Sequence, residues 1–231
     1  MTTCPKLHAV IAGDVVDSSK LSTERRRGLA PQITAIHRDV ADAFGGDLPH
    51  DIATVAGDEW RMYVDRPRSA LAAALALCTK LRAEDIISRV IVVIDEVDFI
   101  EEGDLQNSDG PAFRRAGRGL DALSKRERRF DLLLPDSVDR RATLFAEMTG
   151  ELVDVLLDDL TAAQARSVAE MIRGVAAGAP PTTSEIAGRW EPDPISRQAV
   201  GKHLHRARWD VFERTLDRFT NMMKTLDDDD A

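Results

Sequence analysis

Twice in this chain an apolar run ends in Gly-Asp: residues 8–12 run into Gly13-Asp14, and residues 52–56 run into Gly57-Asp58. The constraint is geometric. A short apolar run closed by turn residues reads as a buried strand. If the two strands are neighbours in one sheet, Asp14 and Asp58 share a rim. Adjacent carboxylates repel unless a proton or a cation lies between them, and hard divalent ions such as Mg²⁺ or Mn²⁺ take oxygen ligands. The two aspartates are therefore a candidate metal site. Ser18 and Ser19 follow closely, as candidate phosphate donors at a helix start or as plain helix caps. For either site alone, a structural turn in which Asp bonds its own backbone is the competing reading.

The rest of the first part alternates strand and helix. A strand is expected over 7–12. A helix is expected over 22–44, capped by Ser22, with Leu29, Ile33, Ile36, Val40 and Phe44 at spacings of three and four. Residues 52–56 and 60–64 read as a hairpin about Gly57-Asp58. A second helix follows over 67–83, and residues 89–97, rich in β-branched side chains, read as a central strand. A third helix over 111–124 and a closing strand over 131–134 complete the set. The order β-α-β-β-α-β-α-β starts with the split βαβ of ferredoxin-like folds. Residues 1–136 are expected to form such an α+β domain, and 137–159 a connecting helix.

Residues 160–226 read as all-α. A helix opens at Thr161. Thr182-Thr183-Ser184-Glu185 has a capping-box pattern, Pro192 and Pro194 make a turn, and Ser196 caps a helix bearing Val200, Leu204 and Ala207. Short helix, turn and a second helix with a polar start fit a helix-turn-helix. Ser196, Arg197, Gln198 and Lys202 are then the candidate DNA-reading side chains, with Arg206 on phosphate. The competing reading is a helical hairpin that only packs. Between 161 and 208 there are seven basic and four acidic residues, although the whole chain carries −9. A locally basic segment in an acidic chain suggests a confined contact surface for a nucleic acid. Trp209, Phe212, Leu216, Phe219, Met223 and Leu226 keep heptad spacing. They serve either a homodimer seam or packing onto the same chain. The acidic tail at 227–231 is expected to be disordered.

Three strings together carry a resemblance: Ala9-Val10-Ile11-Ala12-Gly13-Asp14-Val15-Val16-Asp17-Ser18, Gly57-Asp58-Glu59-Trp60, and Asp109-Gly110-Pro111-Ala112-Phe113-Arg114-Arg115-Ala116. The first two-thirds of the chain resembles the SatD family of bacteria, many members of which append a helix-turn-helix. More distantly it is similar to class III nucleotidyl cyclases and palm-type polymerising domains. That likeness implies metal ligation by Asp14 and Asp58. It also implies a phosphate or catalytic role for Arg118, with Arg114 standing where cyclases have an asparagine. The segment Ile195-Ser196-Arg197-Gln198-Ala199-Val200-Gly201-Lys202-His203-Leu204 resembles the recognition helix of bacterial regulators and of sigma-factor region four.

Composition narrows the setting. The most apolar run, residues 70–78, is too short to span a bilayer. Cys4 and Cys78 lack metal spacing, with Cys78 read as core. The five histidines show no metal or triad spacing. No secretory signal is evident, so a cytoplasmic setting is expected, with no membrane partner. The reading assembled from these features is a DNA-binding regulator with a nucleotide- or metal-sensing cyclase-like domain. A Mg-dependent nucleotidyl cyclase or oligonucleotide-making enzyme is its rival, and a domain that only dimerises is a third.

Overall fold

The structure is a computed structural model that describes residues 6–55 and 58–228. Cys4, Gly57 and the end of the acidic tail lie outside the described residues. The elements run β1 (Leu7–Val15), α1 (Thr23–Phe44), β2 (Ala53–Val55), β3 (Glu59–Val64), α2 (Ala70–Ala83), β4 (Ser88–Glu96), α3 (Pro111–Lys125), β5 (Phe130–Leu133), α4 (Arg140–Asp158), α5 (Ala162–Ala176), α6 (Thr183–Gly188), α7 (Arg197–Arg206) and α8 (Trp209–Asp228). The chain is thus mixed α+β. Its five strands form one sheet in the order β2-β3-β1-β4-β5. β1 lies in the middle, antiparallel to β3 on one side and to β4 on the other. β5 joins parallel to β4.

Alternation along β1 divides the two faces of the sheet. Ala9, Ile11 and Val15 join the main core, while Val10 and Ala12 join a smaller core under α3 with Phe113, Ala116 and Leu120. α2 is apolar all round, which suits only a helix covered on every side. From Ala70 to Leu81 all but Ala72 and Lys80 are buried. α2 touches the sheet, α1 and α5, so α5 forms a further layer outside it. Four charges fix that layer. Lys80 of α2 pairs with Asp39 of α1 at 2.9 Å and Glu170 of α5 at 3.1 Å, and Arg173 of α5 returns to Asp39 at 2.8 Å. The Arg82 Nε also donates to the Leu160 carbonyl at 2.9 Å. The main core therefore continues without a break from β1 through α5, α7 and α8.

The segment read as a connecting helix is α4. Asp139 caps it, accepting from the backbone N–H groups of Arg141 and Ala142 at 2.7 and 2.8 Å. One face, with Ala146, Val153 and Leu156, is buried and packs on β5. The heptad of α8 closes onto its own chain. Phe212, Phe219 and Met223 are fully buried and Leu216 nearly so. Of the two readings of the heptad, the structure takes packing onto the same chain: the spacing marks a shared face, and the face is core. α8 also extends to Asp228, beyond the expected end at 226.

Candidate functional site

The sheet rim brings the two Gly-Asp strings together, in a way the sequence reading did not anticipate. Gly13 is in register with Trp60. A Cβ on Gly13 would lie 2.3 Å from Trp60 Cζ2 and 2.8 Å from the Arg89 carbonyl oxygen. The glycine is thus what admits the fully buried indole. Asp14, one residue on, faces the other side of the sheet. There it is opposite Arg89 of β4, whose Nε and Nη2 donate to its two carboxylate oxygens, each at 2.8 Å. The Arg89 Nη1 reaches Ser124 of α3 at 2.7 Å. Such a bidentate fork satisfies a carboxylate in full geometry.

Asp58 is engaged as well, accepting from the Ser18 hydroxyl. Ser18 and Ser19 lie in a short 3-10 turn, not at the start of α1, whose cap is Ser22. Ser19 is exposed. Glu59 is bridged by Arg61 at 3.2 Å. Among the described residues no group of three His, Cys, Asp or Glu side chains is placed to hold a metal ion. In this arrangement Arg89 and Ser18 offset the repulsion between carboxylates that would otherwise call for a cation.

The arginines of α3 do not converge on this rim. Arg114 is exposed and pairs with Asp109 at 2.7 Å and Asp98 at 3.3 Å. Arg115 binds the nearly buried Asp95 and donates to the Leu134 carbonyl at 2.8 Å, tying α3 to the sheet. Arg118 is exposed, beside Asp121 and Lys125, on a face of α3 distinct from the buried Ala112, Ala116 and Leu120. Arg114 is thus committed to two carboxylates, and Arg118 stands exposed on the outer side of α3. Arg89 is the residue the sequence reading missed. Only the β1–β4 register reveals it, because nothing in the run 88–96 marks its arginine as a partner for Asp14.

The helical part is built as its caps foretell. Thr161 with Gln164 and Thr182 with Glu185 form capping boxes, and the Ser196 hydroxyl accepts from the Ala199 N–H at 3.1 Å. Val200 and Leu204 are buried, and α7 packs against α5 and α6. At about 100° per residue, positions 198, 202 and 206 fall on the opposite half of the helix, whereas 197 stands in its first turn, on the side of Val200 and Leu204. Arg197, Gln198, Lys202 and Arg206 are all exposed. No ion pair within 4 Å engages Arg197, Lys202 or Arg206 among the described residues. The other basic residues of the segment differ. Arg173 is committed to Asp39 and Glu170. Arg166 lies over the Trp190 ring, 4.7 Å from its centroid, and donates to the Glu191 carbonyl at 2.8 Å. His203 is turned inward beside Ser167 and Trp190, and burial lowers its pKa.

No protein-family model and no curated protein matches the chain. Solved structures do show a partial likeness. A bacterial light-regulated adenylyl cyclase is matched over 58% of this chain and 45% of its own, at 15% identity and a TM-score of 0.42. The adenylyl cyclase CyaB from P. aeruginosa is matched over 53% of this chain and 74% of its own, at 15% identity and a TM-score of 0.38. The chain thus spans less than half of the light-regulated cyclase it matches. No helix of the described residues is long and apolar enough to cross a membrane.

Proposed function

We propose that the chain is a DNA-binding protein in which α6 and α7 act as a helix-turn-helix and the sheet, in a ferredoxin-like order, is the body that holds them. One observation carries the reading: α7 presents Arg197 in its first turn and Gln198, Lys202 and Arg206 on its outward half, all exposed, and none of the three cations is in an ion pair among the described residues. Arg, Gln and Lys at the start of a helix are suited to base edges in the major groove. Arg206 lies two turns on, where a phosphate would be met. Gly201 belongs to the same half-turn, and a Cβ there would meet nothing within 4 Å. A mid-helix glycine is less favourable than alanine by about 1 kcal/mol. Open space beside it suits close approach of a groove wall. The resemblance of residues 195–204 to the recognition helix of bacterial regulators points the same way.

The test is fluorescence anisotropy on the full chain with a pool of random duplexes, followed by selection of bound sequences. Binding is expected to weaken linearly in log-log form as salt rises, since phosphate contacts release counterions. The triple change Arg197→Ala, Lys202→Ala, Arg206→Ala is expected to remove it with the circular dichroism spectrum unchanged. No affinity at low salt for any duplex would overturn the proposal.

A further inference from the structure

Among the described residues six large hydrophobic side chains are exposed, and four of them stand on α4: Leu144 at 42%, Met148 at 68%, Leu152 at 40% and Val155 at 62%. Their spacings of four, four and three place them on one face. The opposite face of α4 is already buried on β5. The helix is therefore apolar on two sides, and its own chain covers one.

Charge says what covers the other. Arg141 continues the exposed stripe three residues before Leu144, and Asp159 continues it four residues after Val155. Both are exposed, and neither is in an ion pair among the described residues. A cation at a helix start and an anion at its end both oppose the helix dipole, so α4 by itself gives no reason for either. A second α4 laid antiparallel on the first supplies one. Leu144 then meets the partner's Val155, Met148 meets the partner's Leu152, and Arg141 meets the partner's Asp159. A parallel arrangement would set Arg141 against the same arginine. The stripe is self-complementary in one direction only, as a two-fold interface demands.

We propose that a second copy of this chain docks on α4 in antiparallel register, about a two-fold axis passing midway between Met148 and Leu152. No part of the argument uses α7 or DNA, so either proposal can fail while the other stands.

Sedimentation velocity of the full chain over a concentration series tests it. The expected mass is that of two 25.5 kDa chains. Met148→Glu changes a side chain already open to water, so the fold is retained and the dimer is expected to weaken roughly 100-fold. Val155→Glu is the second variant, with the same expectation. Arg141→Asp and Asp159→Arg are each expected to weaken association roughly tenfold, and the two together to restore it. A chain that stays monomeric up to about 1 mM, where any remaining association would be worth less than about 4 kcal/mol, overturns the proposal. So does a dimer indifferent to Met148→Glu. A dimer that Met148→Glu weakens but the double charge exchange does not restore overturns the antiparallel register.

Discussion

The rim of the sheet and the exposed side of α7 both carry several charges, and those charges meet opposite fates. At the rim, Asp14 has Arg89, Asp58 has Ser18 and Glu59 has Arg61. On α7, Arg197, Lys202 and Arg206 are in no ion pair among the described residues. A charge satisfied inside the molecule has its task there, in holding strands and helices together. A charge left without a partner on a packed, well-capped helix costs little in water and is available to something else. The contrast reverses what the strings alone suggest, because the more motif-like residues are the ones the fold absorbs.

The strongest way to break this contrast is Asp14→Ala. Removing one partner of a largely buried pair leaves the other charge uncompensated and costs about 3–5 kcal/mol when burial is complete. Roughly a fifth of each side chain is open to water here, so about 3 kcal/mol is the expected loss in urea unfolding. Arg89→Ala should cost the same, and the double change less than the sum of the two. If Asp14 were instead a metal ligand crowded by Asp58, its removal without metal would relieve repulsion and stabilise the chain. The sign of the effect decides. Millimolar Mg²⁺ or Mn²⁺ should leave the melting temperature of the wild type unchanged, whereas a true site would raise it by mass action.

A second break lies at His37, where the rule of partnered interiors fails. The ring is fully buried on α1 and neither nitrogen has a hydrogen-bond partner. Burial lowers its pKa from 6.5 to about 4, against the pull of Asp51 and with the help of Arg38. The folded chain keeps the ring neutral where the unfolded chain would protonate it. Its contribution is therefore complete above pH 6.5 and is lost as pH falls toward 4. At about pH 5 the loss relative to neutral pH should be about 2 kcal/mol. His37→Leu should flatten that part of the pH profile, and an unchanged profile would refute the assignment.

How far all this was legible in the sequence follows from what each signal measures. Caps are local chemistry, and Ser22, the Thr182–Glu185 box and Ser196 all act where their spacing places them. The strand expected over 89–97 lies one residue earlier, at Ser88–Glu96. Cys78 is core, as read. What covers a face is not local. Heptad spacing on α8 defines a face as well as it would in a dimer, yet the cover is α8's own chain. On α4 the spacing of Leu144, Met148, Leu152 and Val155 marks a face in the same way, and nothing local says what covers it. The all-round apolarity of residues 70–81 did hold the clue to a third layer, since such a helix needs a neighbour on each side. Arg89 had no such clue, because pairing across strands depends on a register that one residue of slip would invert.

From the α7 side, Arg197→Ala sharpens the comparison. It should leave unfolding free energy within about 0.5 kcal/mol of wild type, as an exposed change without partners does. Affinity for a selected duplex should fall roughly tenfold, with relaxed preference at one base position. Arg206→Ala should weaken all duplexes alike and reduce the salt slope by about one. Equal behaviour of the two variants would remove the distinction drawn between base and phosphate contacts.

The smallest effect separates two roles of one hydroxyl. Ser196 accepts from the Ala199 N–H at 3.1 Å and so caps α7, and it also stands among the residues expected to meet DNA. Ser196→Ala loses the cap and should cost about 1 kcal/mol, with DNA binding reduced through a frayed helix start. Ser196→Asp keeps a good cap and suits the helix dipole, so stability should hold or rise. The added anion would then face the phosphates, and affinity should fall all the same. If Ser196→Asp binds as well as wild type, the start of α7 does not approach a nucleic acid, and the unpartnered charges must look elsewhere for their use.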